Sequence, residues 1–516
     1  MSLQASGWTG LGIAFLGVFS LVFVLQTWPF RQGDRWLPGT HADGPFHFYN
    51  QLARRAPDHF RRDLAVIENR SLGAYEYFYR LINLVTSVSG TSLSSANMLV
   101  CWAANALYLA GIMVLLHRLQ LHPLWCAVGA FIASQPFVLI GMWSGVVHSL
   151  AIPREVCLWP LPWFVLWFLQ GPRDSGWMLL FYACLGAVYC LAYPLWAVLF
   201  GILFGIADLG MILTSGRYSQ LAWLVASAVV CIALVALPSL TTFKAVSCDG
   251  SAVLDYNAIT RSVYFTKGFR RLLVFSGLAL VAWWWMRDDA AIGPLVNRMG
   301  ILLASALLVC LAYEPVQRLM PQVSLLYPGR LSLVPYLIFA LLAAVALNTH
   351  FATSPRWAQG VLVLVLLGIT LDRQRWILEE SRPEQLASNL EFVRFAERIR
   401  EVTPVDSLCL MPPLLGSHYF RVHAERGLWI DPKDLGILSR SRKIFDEAQR
   451  RLGFQKTLFA AESSNSEREK VISELRAAGV NFLVVTTAQS WGAEYGLRQV
   501  LESGRWRLLA IQEAAQ

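Results

Sequence analysis

The chain has 516 residues, 56% hydrophobic and only 15% charged, with a formal net charge of +9 and a mean hydropathy of +0.47. A soluble protein of this size carries about 25% charged residues, so an ordinary soluble globular class is excluded. The positive balance comes mostly from arginine, and no basic run is interleaved with aromatics in a soluble segment, which argues against a nucleic-acid partner.

Apolar stretches of about 16–22 residues, the length of a membrane-crossing helix, recur along the first 373 positions. The first, 9–28, has no basic segment before it and no small-residue cleavage site after it, and reads as a retained span. A long loop, 29–95, follows. It carries His41-Ala42-Asp43-Gly44-Pro45-Phe46-His47-Phe48-Tyr49, then Asp58 and Asp63. Helices are expected over 50–62 and 74–88, where Tyr75, Tyr77, Phe78 and Tyr79 suit the headgroup layer. Further spans are expected at 96–116, 123–144, 154–170, 177–192, 195–214, 221–241, 272–287, 299–314, 331–349 and 357–373. The fifth and sixth are parted only by Tyr193-Pro194, a turn whose proline cannot continue a helix; one long kinked helix is the alternative. Two more loops, 242–271 and 314–330, interrupt the series.

Arg118, Arg173, Arg217, Arg287, Arg298 and Arg356 mark short loops or span ends of one side, which reads as cytoplasmic. Arg31, Arg35, Lys267, Arg270 and Arg271 fall on the other. The N-terminus is taken as cytoplasmic and the three long loops as outside. Past residue 373 the composition turns charged and amphipathic. Helices are expected at 388–400, 437–452, 467–478 and 494–501, and strands at 407–411, 427–430, 480–486 and 506–511. This alternation describes a small α/β domain. The expected organisation is therefore a polytopic α-helical membrane bundle of about eleven spans, 1–373, with outer loops at 29–95, 242–271 and 314–330, and an extracytoplasmic α/β domain, 374–516.

Nine cysteines lie mostly within spans and form no CxxC pair, so the zinc and redox signatures are missing. The P-loop, the dinucleotide fingerprint, HExxH and GxSxG are missing as well. The candidates are single charged residues. Asp43 is either a general base that takes the proton of a sugar acceptor hydroxyl or a cap before Pro45; Asp34 is its rival. Asp63, after Arg61-Arg62, either orients an acceptor or a metal or makes an ion pair. His41 and His47 flank Asp43, a donor set that suits a divalent metal. Arg154 and Arg330 stand before the fourth and tenth spans, positions fit for a phosphate clamp or for snorkelling. Arg261 and Arg318 are further phosphate candidates, and Glu314 pairs with Arg318 or stands at a span end. The stretch 419–434, with Tyr419, Arg421, His423, Trp429 and Asp434, reads as a saccharide groove or as a solvated edge.

This layout resembles the GT-C superfamily of integral-membrane glycosyltransferases: an acidic residue, Asp43, in a long loop after the first span, arginines (Arg154, Arg330) at outer span ends, and a soluble α/β domain last. The resemblance implies a GT-C-like fold, Asp43 as base, and Arg154 and Arg330 as contacts to the phosphate of a polyprenyl-phosphate or polyprenyl-pyrophosphate sugar donor. Asp63, Arg261, His47, Tyr49 and Tyr327 complete the expected substrate-contact set. The sequence departs from several members in having no Asp-Glu or Asp-x-Asp pair around Asp43. The expected activity is sugar transfer to a glycan, lipid or protein acceptor at the outer face of a bacterial inner membrane. The alternatives are a polysaccharide polymerase or ligase acting on lipid-pyrophosphate glycans, and a non-catalytic transporter or assembly subunit.

Overall fold

A computed structural model describes most of the chain; the residues it leaves undescribed are Met1, 27–30, 33–34, 37–42, 73–74, 136, 140–141, 145–155, 171–174, 243–249, 320–327, 352–354, scattered positions over 358–381, 414–416, 440, 490–492 and 512–516. The chain divides into two compact units. One comprises residues 1–29, 74–242 and 257–379, the other 30–73, 243–256 and 380–516.

The first unit is a helical membrane bundle. Seven of its described helices are long and apolar enough to cross a bilayer: Trp8–Leu25, Leu93–Arg118, Pro194–Ser215, Tyr218–Val235, Phe269–Met286, Gly293–Ala312 and Arg330–Thr349. Three shorter apolar helices, Pro123–Ser134, Leu161–Gln170 and Ser175–Cys190, accompany them. The Arg330–Thr349 span is 83% buried, so it runs through the middle of the bundle, whereas the first is only 17% buried and faces outward. Small residues set the closest helix approaches: a Cβ on Gly129 would sit 2.5 Å from Leu116 Cδ1 and 2.7 Å from Ala344 Cβ. The expected spans need three corrections. The third is helical only to Ser134, and the short strands Phe137–Leu139 and Met142–Ser144 pair as a hairpin beyond it, after a stretch holding Pro136. The loop expected at 242–271 is helical from Gly250, in one continuous helix that runs to Met286. The loop expected at 314–330 begins as helix, because the Gly293–Leu319 helix runs on through Pro315. The eleventh span, 357–373, lies largely outside the described residues.

The second unit is built around a five-stranded mixed sheet. Its order is Gly427–Leu428, Leu408–Leu410, Phe482–Thr486, Trp506–Ile511, Leu497–Ser503; the first three strands are parallel and the last two antiparallel to their neighbours. Helices Pro383–Val402, Arg442–Phe459 and Asn465–Ala477 cover it. The last is held by a capping box in which Ser464 and Glu467 exchange hydrogen bonds. Stretch 494–501 was expected as helix. It is strand from Leu497, because Gly504 (φ +58°) allows the tight turn that pairs Ser503 with Trp506. The first-loop residues pack in this unit. Phe46, Tyr49 and Ala53 of the Asp43–Arg55 helix, Phe60 of the Pro57–Phe60 turn and Val66 of the Leu64–Leu72 helix form one buried cluster, with Val422 packed against it.

Segments 30–73, 243–256 and 380–516 are joined within this unit by the Arg421–Asp63 and Arg442–Asp255 ion pairs. In the first unit the Tyr182 hydroxyl donates to Asp208 across the Ser175–Ala192 and Pro194–Ser215 helices, which are therefore a hairpin and not one kinked helix.

Candidate functional site

The Asp43–Arg55 helix carries three of the expected site residues. Asp43 is its first residue, and His47 stands one turn further on, at the i+4 spacing that shares a face. His47 and Tyr49 are buried. The helix is anchored through Tyr49, whose ring lies 4.8 Å from the Arg421 guanidinium. Arg421 is the hub of this unit. Its Nε and Nη2 donate to Asp63 at 2.6 and 3.1 Å, and its Nη1 and Nη2 donate to Asp434 at 2.9 and 2.8 Å. All three side chains are at most 1% exposed.

Asp63 also accepts the backbone N–H groups of Ala65, Val66 and Leu428, at 3.1, 3.2 and 2.8 Å. Its two oxygens thus meet five donors: it caps the Leu64–Leu72 helix and ties it to the sheet. A carboxylate so occupied, with no exposed surface, holds the fold and does not meet an acceptor sugar, which corrects the substrate-contact expectation. The ion-pair reading is the right one, with Arg421 as the partner. Asp434 also takes the Asp431 N–H. Burial pushes its carboxyl up to about 7 against the pull of Arg421, and the neighbouring Asp431 and Asp63 carboxylates add to the rise. The stretch 419–434 therefore supplies core and ion network in place of a saccharide groove: Tyr419, Phe420, Arg421, Trp429 and Ile430 are all buried.

In the first unit the informative residue is Arg330. It lies in the turn Pro328–Ser332 that opens the Leu333–His350 helix, and it is only 8% exposed. Its Nη1 donates to the hydroxyl oxygen of Tyr193, and its guanidinium carbon lies 5.9 Å from that ring's centroid. Tyr193 in turn stacks on Tyr75, with centroids 6.0 Å apart and planes within 10°. Tyr75 precedes the Glu76–Ser89 helix and Tyr193 precedes the Pro194–Ser215 helix. Arg330 thus meets Tyr193, and Tyr193 meets Tyr75, in a chain of contacts between three elements distant in sequence. Deeper in the bundle, Asp208 accepts from the Tyr182 hydroxyl at 2.9 Å.

Of the remaining expected residues, Arg154, Tyr327, His41 and Asp34 lie outside the described residues, as do the side chains of Asp43, Arg261, Glu314 and Arg318. Arg261 itself sits within the Gly250–Met286 helix. The metal expectation falls on His41 and Asp43, and hence on that undescribed part; among the described residues no three His, Cys, Asp or Glu side chains cluster as metal ligands. Sequence reasoning missed Tyr193 as a partner of Arg330, and Tyr75 as the ring stacked on Tyr193. The only signal was the Tyr193-Pro194 turn, which puts Tyr193 at the same end of its helices as the start of the Leu333–His350 helix.

No known family model matches the chain, and no curated protein matches it. Solved structures are similar to it. One is ArnT from Cupriavidus metallidurans bound to undecaprenyl phosphate, at 14% identity over 98% of this chain and 98% of that one, with a TM-score of 0.49. Another is the archaeal oligosaccharyltransferase AglB from Archaeoglobus fulgidus in complex with an inhibitory peptide and a dolichol-phosphate, at 13% identity over 94% of this chain and 69% of that one, with a TM-score of 0.48. A third, of the Archaeoglobus fulgidus oligosaccharyltransferase in complex with Zn and sulfate, has 13% identity over 92% of this chain and 68% of that one, with a TM-score of 0.43. The likeness at these scores is one of broad layout.

Proposed function

We propose that the protein is a membrane glycosyltransferase that takes a sugar from a polyprenyl-phosphate or polyprenyl-pyrophosphate donor and passes it to an envelope glycan, lipid or protein. The observation that carries this reading is Arg330. A buried guanidinium at the end of an apolar helix marks a functional-site candidate, and its planar fork suits phosphate. Arg330 opens an apolar helix and is held by the Tyr193 hydroxyl, on whose ring Tyr75 stacks.

In the proposed reaction the Asp43 carboxylate accepts the proton of the acceptor hydroxyl as that oxygen attacks the anomeric carbon. The bond from the anomeric carbon to the phosphate oxygen breaks, and its electron pair leaves with the lipid phosphate. Arg330, with Arg154, stabilises the charge that develops there. One displacement inverts the anomeric configuration. The unit holding Asp43 and the α/β sheet lies on the extracytoplasmic side of a bacterial inner membrane in this reading.

Arg330→Ala is expected to weaken binding of undecaprenyl phosphate to the detergent-purified protein, and unchanged affinity would remove the phosphate assignment. Asp43→Asn is expected to abolish transfer while leaving that binding intact.

A further inference from the structure

We infer that Tyr193 is a positioning residue for the phosphate contact: its hydroxyl fixes the Arg330 guanidinium in the orientation that meets a lipid-linked phosphate. The inference rests on the reading of Arg330 given above. Arginine has long rotamer freedom, and a phosphate contact at the end of a span requires one orientation of its planar fork. The structure supplies the restraint. The Tyr193 hydroxyl oxygen accepts from Arg330 Nη1, and the ring lies beside the same guanidinium.

Tyr193 is itself held. It is the residue before Pro194, a setting that pushes the backbone toward extended conformations, and it adopts φ −153°, ψ 85° at the start of its helix. The Tyr75 ring is stacked on it, the Trp196 ring lies 6.1 Å away, and Trp196 stacks on Phe200 at 4.8 Å. Tyr193, Trp196 and Phe200 are all buried. The hydroxyl thus sits at the tip of an aromatic row anchored in the bundle, and Arg330 is docked on that tip. The row gives Tyr193 a role that its packing alone does not need: a phenylalanine would fill the same stack but offer the guanidinium no hydroxyl oxygen at this position.

The test is a double-mutant cycle on the full-length protein in detergent, with undecaprenyl phosphate as the probe. Tyr193→Phe is expected to weaken binding about tenfold, the size of a lost hydrogen bond to a charged group, in a protein that still unfolds cooperatively in detergent. In an Arg330→Ala background the same substitution is expected to change binding less than about twofold, since Tyr193 acts only through Arg330. An unchanged affinity in Tyr193→Phe, or an equal loss in both backgrounds, would overturn the inference. Arg330→Ala that binds normally would instead overturn the underlying phosphate reading. Excess inorganic phosphate is expected not to displace the probe; displacement would mark a site for a free anion and overturn the lipid-linked assignment.

Discussion

Replacing Arg421 by methionine removes the one cation shared by two buried carboxylates. Asp63 loses donors at 2.6 and 3.1 Å and Asp434 loses donors at 2.9 and 2.8 Å, while both stay at most 1% exposed. Leaving one buried charge without its partner costs about 3–5 kcal/mol. Here two carboxylates are left facing each other, so the loss belongs at the upper end unless Asp434 takes up a proton. For a folding unit of 150–250 residues, about 1 kcal/mol moves the melting temperature by roughly 2–4 °C, so a fall of roughly 6–20 °C is expected. Hydrogen exchange on the full-length protein checks where the loss acts: amides of 43–72 and 405–435 should lose protection together, since Tyr49 and Asp63 both anchor on Arg421. Arg421→Lys should not rescue, because a single ammonium cannot bridge both carboxylates in plane. A melting shift below about 2 °C, or protection lost only near residue 421, would refute the claim that this arginine ties the first loop to the α/β sheet.

Asp434 has a folded value of about 7, above the usual carboxylate range, so the fold favours its neutral form. That stabilisation is fully present below about pH 4 and is lost as pH rises toward 7; Asp434→Asn should flatten the slope of melting temperature against pH across that window, and an unaltered slope would count against the raised value. Asp43→Asn should cut sugar transfer by at least about a hundredfold, the lower range for removal of a general base, with expression intact; turnover near that of the parent would dismiss Asp43. Gly129→Val should destabilise the bundle by about 1–3 kcal/mol through overpacking, since even a Cβ there falls 2.5 Å from Leu116 and 2.7 Å from Ala344; thermal unfolding in detergent reads it, and a neutral variant would show that these helices can part freely.

Much of the fold is legible in the sequence because apolar length is a one-dimensional signal. The spans at 96–116, 195–214 and 331–349 match helices at Leu93–Arg118, Pro194–Ser215 and Leu333–His350. The apolar runs 480–486 and 506–511 match strands for the same reason. Long-range pairing hid the rest. Stretch 494–501 has helix-forming residues, but strand partners one turn away decide it. Asp63 follows Arg61 and Arg62, yet its true partner is 358 positions away. The same distance effect concealed that 30–73 belongs with the C-terminal unit: no local pattern records that Phe46, Tyr49 and Phe60 pack against Val422. At the candidate site, an arginine before a span was readable, whereas the tyrosine that holds it lies 137 positions away.

The most direct measurement is a cryo-EM map of the full-length protein with undecaprenyl phosphate. The account predicts phosphate density within hydrogen-bonding reach of Arg330, beside the Tyr193 ring. Phosphate density seated elsewhere in the bundle, with Arg330 still docked on Tyr193 and touching no ligand, would contradict it.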